Sequence, residues 1–258
     1  MKRVIPYFYT LLLLAVSGCG VSEDCFKGNG AEVWKSYAIS GFSKIKVYSG
    51  VGLVIQEGAD YEVRLQTTAS IQDDIEVTLD GNMLKVKDVS SCNLNRDYGQ
   101  TTLYVTVPDG SLVPRISELE LHSKTEQTIR SANTLKSAII RLYSIDLEDG
   151  AGTGDFNIAV ENNQLVVESN NVSNFYLRGE SQTLNFYFSW GDGIFAGQDL
   201  KIKQHISLNH RGSNDVILYP EGTIIGNLYS SGNVILKNQP ASIPNIVEHY
   251  TGKVILGY

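Results

Sequence analysis

Four aspartates near the turns of this sequence could carry out acid–base chemistry. Asp149, Asp155, Asp192 and Asp215 each lie beside a glycine or an asparagine. Paired carboxylates cleave glycosidic bonds, so such residues would suit a polysaccharide hydrolase or lyase. Their offsets from the neighbouring apolar triplets differ, which predicts that they do not stack as one group, and Asp beside Gly is common in turns. We therefore expect these aspartates to occupy turns without a catalytic role. A carbohydrate-active enzyme, either a polysaccharide lyase or a hydrolase, is the alternative function.

The histidines lack the spacing of a metal site. His205 and His210 are five residues apart, and two such residues on one strand face opposite sides; the others are His122 and His249. The sequence also contains no serine nucleophile elbow, phosphate-binding loop or CxxC motif. We predict no catalytic residue, no metal site and no cofactor.

The N-terminal residues 1–18, MKRVIPYFYTLLLLAVSG, have the pattern of an export signal. Two positive charges precede an apolar run that is too short to span a bilayer. The run ends in Ser17 and Gly18 before Cys19, and LAVSGC resembles the lipobox of bacterial lipoproteins. Cys19 is thus the predicted lipid attachment site, since several acyl chains hold a protein on a membrane. The alternative is an ordinary secretory signal with Cys19 in a disulfide.

Two further cysteines, Cys25 and Cys92, are then a candidate disulfide pair or two free thiols. The formal charge is −7, without a basic cluster, so binding to a nucleic acid backbone is not expected.

Turn residues recur about every 20 positions in the second half of the chain. They are Gly152, Asn171, Gly191, Gly212, Gly232 and Gly252. Each is followed by a short β-prone triplet such as Val234-Ile235-Leu236. A leucine-rich repeat has a similar period, but its Leu-x-x-Leu-x-Leu-x-x-Asn frame is absent. The pattern predicts an all-β, right-handed parallel β-helix with coils of about 20 residues, stacked ~4.8 Å apart.

Residues 41–110 alternate apolar and polar side chains and include a hairpin signal at Asp80-Gly81-Asn82. The predicted organisation is a signal peptide at 1–18, an anchor and linker at 19–40, and one solenoid domain at 41–258. Within this domain, 41–110 would form hairpin-like N-terminal strands and 111–258 the repeat coils.

The middle residues of the triplets predict an apolar stripe on the outside of the solenoid. Its members are Tyr176, Phe195, Ile217, Ile235 and Ile255. Another part of the chain could cover this stripe, or it could serve as a partner or self-association surface. A third explanation is that the alignment of the triplets is wrong by one residue.

Several segments resemble the putative auto-transporter adhesin, or head GIN domain, family, a domain of unknown function common in exported Gram-negative lipoproteins. They are FSKIKVYSGVGLVIQEGADYEVRLQTT, DGNMLKVK, LYVTVP, the glycine-punctuated repeats and SSGNVILKNQPASIPNIVEHYTGKVI. The resemblance covers residues 41–258. It implies a β-solenoid in the cell envelope and no catalytic signature.

We therefore expect a non-enzymatic outer-membrane lipoprotein, on the periplasmic or the cell-surface side, that binds a protein or a glycan across its solenoid surface. Aromatic side chains suited to stacking on sugar rings are Tyr187, Phe188, Trp190, Tyr219 and Tyr229.

Overall fold

The computed structural model describes residues 28–90, 97, 99–109, 117–146, 150–188, 191–242 and 244–258. These residues form β-strands and turns, without a helix. The strands are β1 (Glu32–Tyr37), β2 (Lys44–Tyr48), β3 (Val51–Gly58), β4 (Glu62–Thr68), β5 (Ile75–Asp80), β6 (Met83–Asp88), β7 (Thr101–Pro108), β8 (Glu118–Lys124), β9 (Ile129–Ser131), β10 (Ile139–Ser144), β11 (Phe156–Ser169), β12 (Phe175–Phe188), β13 (Phe195–His210), β14 (Val216–Pro220), β15 (Thr223–Leu228), β16 (Val234–Leu236), β17 (Asn245–Glu248) and β18 (Val254–Leu256).

Parallel pairing between successive coils builds a β-solenoid of about 6 turns, with paired residues about 21 positions apart. Equivalent residues stack along the solenoid axis in what we call columns. One inward column contains Phe156, Phe175, Phe195, Val216, Val234 and Val254. The predicted all-β parallel solenoid is confirmed, and the recurrence of Val-Ile-Leu follows from residues that occupy the same place in successive coils.

Phenylalanine rings fill the interior of the central coils. The Phe156 and Phe175 rings stack at 4.7 Å with an interplanar angle of 7°. Phe186 lies 4.3 Å from Phe188 and 4.8 Å from Phe195. These rings are fully or almost fully buried, and burial of aromatic surface is a major source of stability.

The N-terminal strands contribute coils of the same solenoid as well as the expected hairpins. β2 pairs in parallel with β6 and β8, and β3 pairs in parallel with β7 and β9. β5 and β6 form the predicted hairpin around Gly81, whose φ is 59°. β1 lies within the range predicted as anchor and linker, yet it pairs antiparallel with β4 and covers the edge of that strand. The solenoid pattern therefore begins before residue 111.

The recurrent glycines allow successive turns to approach each other closely. A Cβ on Gly252 would lie 2.3 Å from the carbonyl oxygen of Gly232, and one on Gly191 would lie 2.3 Å from that of Asn171. Gly191 has a positive φ of 89°, but Gly212, Gly232 and Gly252 do not. Lack of space, more than a special backbone angle, therefore explains why glycine recurs.

The predicted signal peptide at 1–18 and the residues Cys19, Cys25 and Cys92 lie outside the described residues. The described residues include no helix that is long and apolar enough to cross a membrane.

Candidate functional site

The turn aspartates bind the turns of the next coil. Asp155 Oδ1 accepts a hydrogen bond from Asn174 Nδ2 at 2.8 Å, and Asp215 Oδ1 accepts one from the Asn233 backbone N–H at 2.9 Å. Ser213 donates to Asp192, whereas Asp149 lies outside the described residues. These contacts agree with the predicted turn role.

Two of the four aspartates have the same offset from their triplets. Asp155 precedes Phe156 and Asp215 precedes Val216, and those two residues belong to one column. The two aspartates therefore share a column, but they are three coils, or about 14 Å, apart. This separation exceeds that of catalytic carboxylate pairs.

The two histidines closest in sequence lie on opposite sides of β13. His205 accepts or donates a 2.7 Å hydrogen bond with Thr223 Oγ1, whereas His210 is fully buried and bonds the Asn214 carbonyl oxygen at 2.9 Å. Burial lowers the pKa of His210. Within the described residues, no three His, Cys, Asp or Glu side chains come together as a metal site.

The apolar stripe is present, but one predicted member is wrong. Phe195 is fully buried and stacks in the inward column, and Ala196 takes the outward position between Tyr176 and Ile217. Ile194, Phe195 and Ala196 are all apolar, so the triplet can be aligned in two ways, and in the structure Phe195 takes the inward position. The corrected stripe consists of Tyr176, Ala196, Ile217, Ile235 and Ile255. Tyr176 and Ile255 are 40% and 41% exposed, so the described residues leave both ends of the stripe uncovered.

Two outward columns on the other side of the solenoid form a second surface, which we call the polar face. The first column contains Lys46, His122, Tyr143, Glu168, Tyr187, Asn209, Asn227 and Val247, and the second Lys44, Glu120, Arg141, Val166, Asn185, Ser207, Ile225 and Asn245. With about 4.8 Å between coils, each column is roughly 34 Å long.

A groove of about 710 Å³ lies in the C-terminal part of the polar face. Asn185, Tyr187, Ser207, Asn209 and Asn227 contribute to its lining. Tyr187 is 43% exposed. Within the described residues, the Asn209 Oδ1 atom is buried and has no hydrogen-bond partner, whereas the ring of Tyr187 is open to the groove.

A second concavity of about 440 Å³ continues the polar face toward the N-terminal strands. Its centre is Glu120, which bonds Lys44 at 3.1 Å and His122 at 3.0 Å. Burial opposes ionisation of Glu120, but these hydrogen bonds outweigh it and lower its pKa. For His122, burial lowers the pKa, and the hydrogen bond and negative charge of Glu120 offset only part of this decrease. The His122 ring lies 4.7 Å from that of Tyr143, so aromatic surface is available here too.

The predicted aromatic side chains do not share one surface. Tyr187 lies on the polar face, Phe188 is core, and Trp190 is outside the described residues. Tyr229 stacks on His249 at 4.3 Å and on the Arg211 guanidinium at 4.0 Å.

The asparagine and serine side chains of the groove were not predicted as site residues from the sequence. They alternate with buried residues, as Asn185 does between Leu184 and Phe186. This alternation is the signal that could have identified them.

A family model for the putative auto-transporter adhesin, head GIN domain, matches residues 41–240. The chain belongs to this family. The match spans the solenoid from β2 to β16 and leaves β1 outside. Family membership supports a non-enzymatic binding role and is consistent with an extracellular or envelope location in bacteria.

Solved structures show the same fold at low sequence identity. A putative adhesin from Bacteroides fragilis NCTC 9343 has a TM-score of 0.69 at 15% identity, covering 87% of this chain and 96% of that one. A putative adhesin from Parabacteroides merdae ATCC 43184 has a TM-score of 0.57 at 12% identity, covering 89% and 98%. A putative lipid binding protein from Parabacteroides distasonis ATCC 8503 has a TM-score of 0.52 at 14% identity, with the same coverage. No similar sequence was found among curated proteins.

Proposed function

We propose that this head GIN domain protein is a lipid-anchored outer-membrane lipoprotein that binds a linear polysaccharide along its polar face. The observation that carries the proposal is the groove of about 710 Å³, which runs across several coils and is lined by amide and hydroxyl groups beside Tyr187. Asparagine amides donate and accept hydrogen bonds, as sugar hydroxyls require.

The geometry of the polar face favours a glycan over a peptide. Its strands pair on both sides within the described coils, so few backbone groups are free to add a peptide strand. One pyranose unit is similar in length to the step of about 4.8 Å between coils. Successive sugar units can therefore meet successive coils.

The groove favours binding over cleavage. Glu168 is the one carboxylate among the described residues that line it, whereas glycosidases need a pair.

Replacing Tyr187 by alanine is expected to weaken polysaccharide binding about tenfold, because an exposed aromatic ring supplies stacking area. The measurement is affinity electrophoresis and calorimetry with a β-glucan, a xylan, a mannan and dextran. Tyr176→Ala is the matched control, since Tyr176 is similarly exposed on the opposite face, and it should bind like the wild type. Equal loss in both variants, or no binding of the wild type to any of these polysaccharides, would contradict the proposal.

The lipid anchor has a separate test. Mass spectrometry of the wild type from cells should show the added acyl chains on Cys19, and Cys19→Ser is expected to lack them, because the cysteine is the group that is acylated. A wild-type protein without acyl chains on Cys19 would argue against the anchor.

A further inference from the structure

A separate concavity of about 290 Å³ lies at the N-terminal end of the face that carries the apolar stripe. Five adjacent strands, in the order β1, β4, β7, β3 and β9, supply its side chains. Arg64 pairs with Tyr104, Tyr104 with Val54, and Val54 with Arg130. Trp34 on β1 completes the set that we call the aromatic–arginine pocket, with Val54 at its floor.

Hydrogen bonds hold the two aromatic rings of this pocket in place. Trp34 Nε1–H donates to Glu32 Oε1 at 2.8 Å, and Gln66 Nε2 donates to the other oxygen of Glu32 at 2.8 Å. The Tyr104 hydroxyl donates to Gln66 Oε1 at 2.9 Å. The Trp34 and Tyr104 rings are 5.0 Å apart, and Trp34 is still 46% exposed. An exposed aromatic pair that is fixed in this way is organised before a ligand arrives.

Two arginines flank the aromatic pair. The Arg64 guanidinium lies 4.6 Å from the Trp34 ring and 3.6 Å from the exposed Glu62 carboxylate. Arg130 is exposed on the other side of Val54, and no described carboxylate forms an ion pair with it. Among the residues that line the pocket, Glu62 is the one acid, on the β4 side. An anion is therefore favoured toward Arg130, where guanidinium donors can bind it in a bidentate manner.

We propose that the aromatic–arginine pocket binds one anionic sugar unit, a pyranose that carries a carboxylate or a phosphate. The ring of the sugar lies against Trp34 and Tyr104, and its anionic group binds Arg130 with support from Arg64. A volume of about 290 Å³ suits one such unit. Gln56, whose Nε2 donates to Thr106 Oγ1 at 3.0 Å, supplies a carbonyl oxygen at the rim for a sugar hydroxyl.

The proposal does not rest on the polysaccharide site of the polar face, which lies on the opposite side. It also reaches beyond the family match, since β1 with Trp34 precedes residue 41, where that match begins.

The test compares acidic and neutral sugars on the full-length protein by calorimetry and by chemical-shift changes of the Trp34 indole N–H. The probes are oligogalacturonate, glucose 6-phosphate, a neutral cello-oligosaccharide and inorganic phosphate. At the Trp34 indole N–H, which reports on this pocket alone, we expect oligogalacturonate or glucose 6-phosphate to bind at least about tenfold more tightly than either the neutral sugar or inorganic phosphate, with affinity that falls as salt is added.

Arg130→Gln should weaken the acidic sugar about tenfold, and Trp34→Phe should weaken it while leaving strand β1 in place. Arg178→Gln is the matched control, because Arg178 is an exposed arginine that donates to Asn157 Oδ1 outside the pocket, and it should bind like the wild type. Tyr187→Ala should also leave this binding unchanged, which separates the two sites.

The proposal would be overturned by equal affinity for acidic and neutral sugars at the Trp34 indole N–H, by unchanged binding there in Arg130→Gln, or by no acidic sugar that shifts this signal. Inorganic phosphate that binds as tightly as glucose 6-phosphate would also overturn it, since the sugar would then contribute nothing.

Discussion

Replacing Gly232 by alanine is expected to lower the free energy of unfolding by about 3 kcal/mol, at the upper end of overpacking costs. The new Cβ would lie 2.3 Å from the carbonyl oxygen of Asn214 and 2.8 Å from that of Gly212. Both are backbone atoms of the preceding coil, which cannot move without disturbing the hydrogen bonds between coils. Urea unfolding followed by circular dichroism at pH 7.5 measures the loss.

Gly28→Ala is the control for this prediction. Nothing lies within 4 Å of a Cβ at that position, so its unfolding free energy should stay within about 0.5 kcal/mol of the wild type. If both variants lost the same stability, close approach of the coils would not explain why glycine recurs.

Replacing Phe186 by alanine is expected to cost about 3–5 kcal/mol, because the change leaves a cavity in a packed core. Phe186 is 2% exposed and contacts the rings of Phe188 and Phe195. Phe188 lies on the same strand as Phe186, whereas Phe195 lies on the strand of the next coil, so relaxation of one strand cannot fill the space. The same urea titration gives the loss.

Tyr187→Ala is the matched control in this case, because the next residue along β12 faces outward and is 43% exposed. It should lose less than about 1 kcal/mol. A Phe186 variant as stable as the Tyr187 variant would show that the interior of this coil is loosely packed. Comparison of Phe186→Ala with Tyr187→Ala also separates loss of stability from loss of binding. Tyr187→Ala is expected to impair polysaccharide binding without unfolding the protein.

The solenoid could be predicted from the sequence because its core imposes the same environment on every coil. Val216, Val234 and Val254 pack in one column, so similar residues recur. Close approach of the turns imposes glycine in the same way. These constraints are strong and periodic, and a single sequence reveals them.

The sequence was a poorer guide to which residues of a single coil face inward. β13 has register shifts relative to β12 between Tyr176 and Arg178 and between Ser181 and Thr183. Gly226 occupies the inward column of the large apolar residues Phe186 and Leu208, and its apolar neighbour Ile225 is 43% exposed. Composition alone cannot distinguish an inward from an outward isoleucine when the coil length varies.

The alternation of buried and exposed residues could have placed the groove side chains on the surface, but neither candidate site could be predicted as a binding site, for different reasons. The groove residues face solvent, so no packing constraint makes Asn185, Ser207 and Ile225 recur as one type, although they share a column. The aromatic–arginine pocket is assembled from strands that are distant in sequence, with Trp34 and Arg130 nearly one hundred residues apart. No local spacing reports such a juxtaposition.

The bulges in β13 show how a solenoid of this kind tolerates change over evolution. β13 has 16 residues where β12 has 14, yet pairing resumes on both sides of each bulge. Small insertions can therefore be absorbed within one coil without shifting its neighbours. Gain or loss of an entire coil would likewise preserve the stacking on either side, so descendants of one ancestor could differ in the length of the surface that they present while keeping the same core.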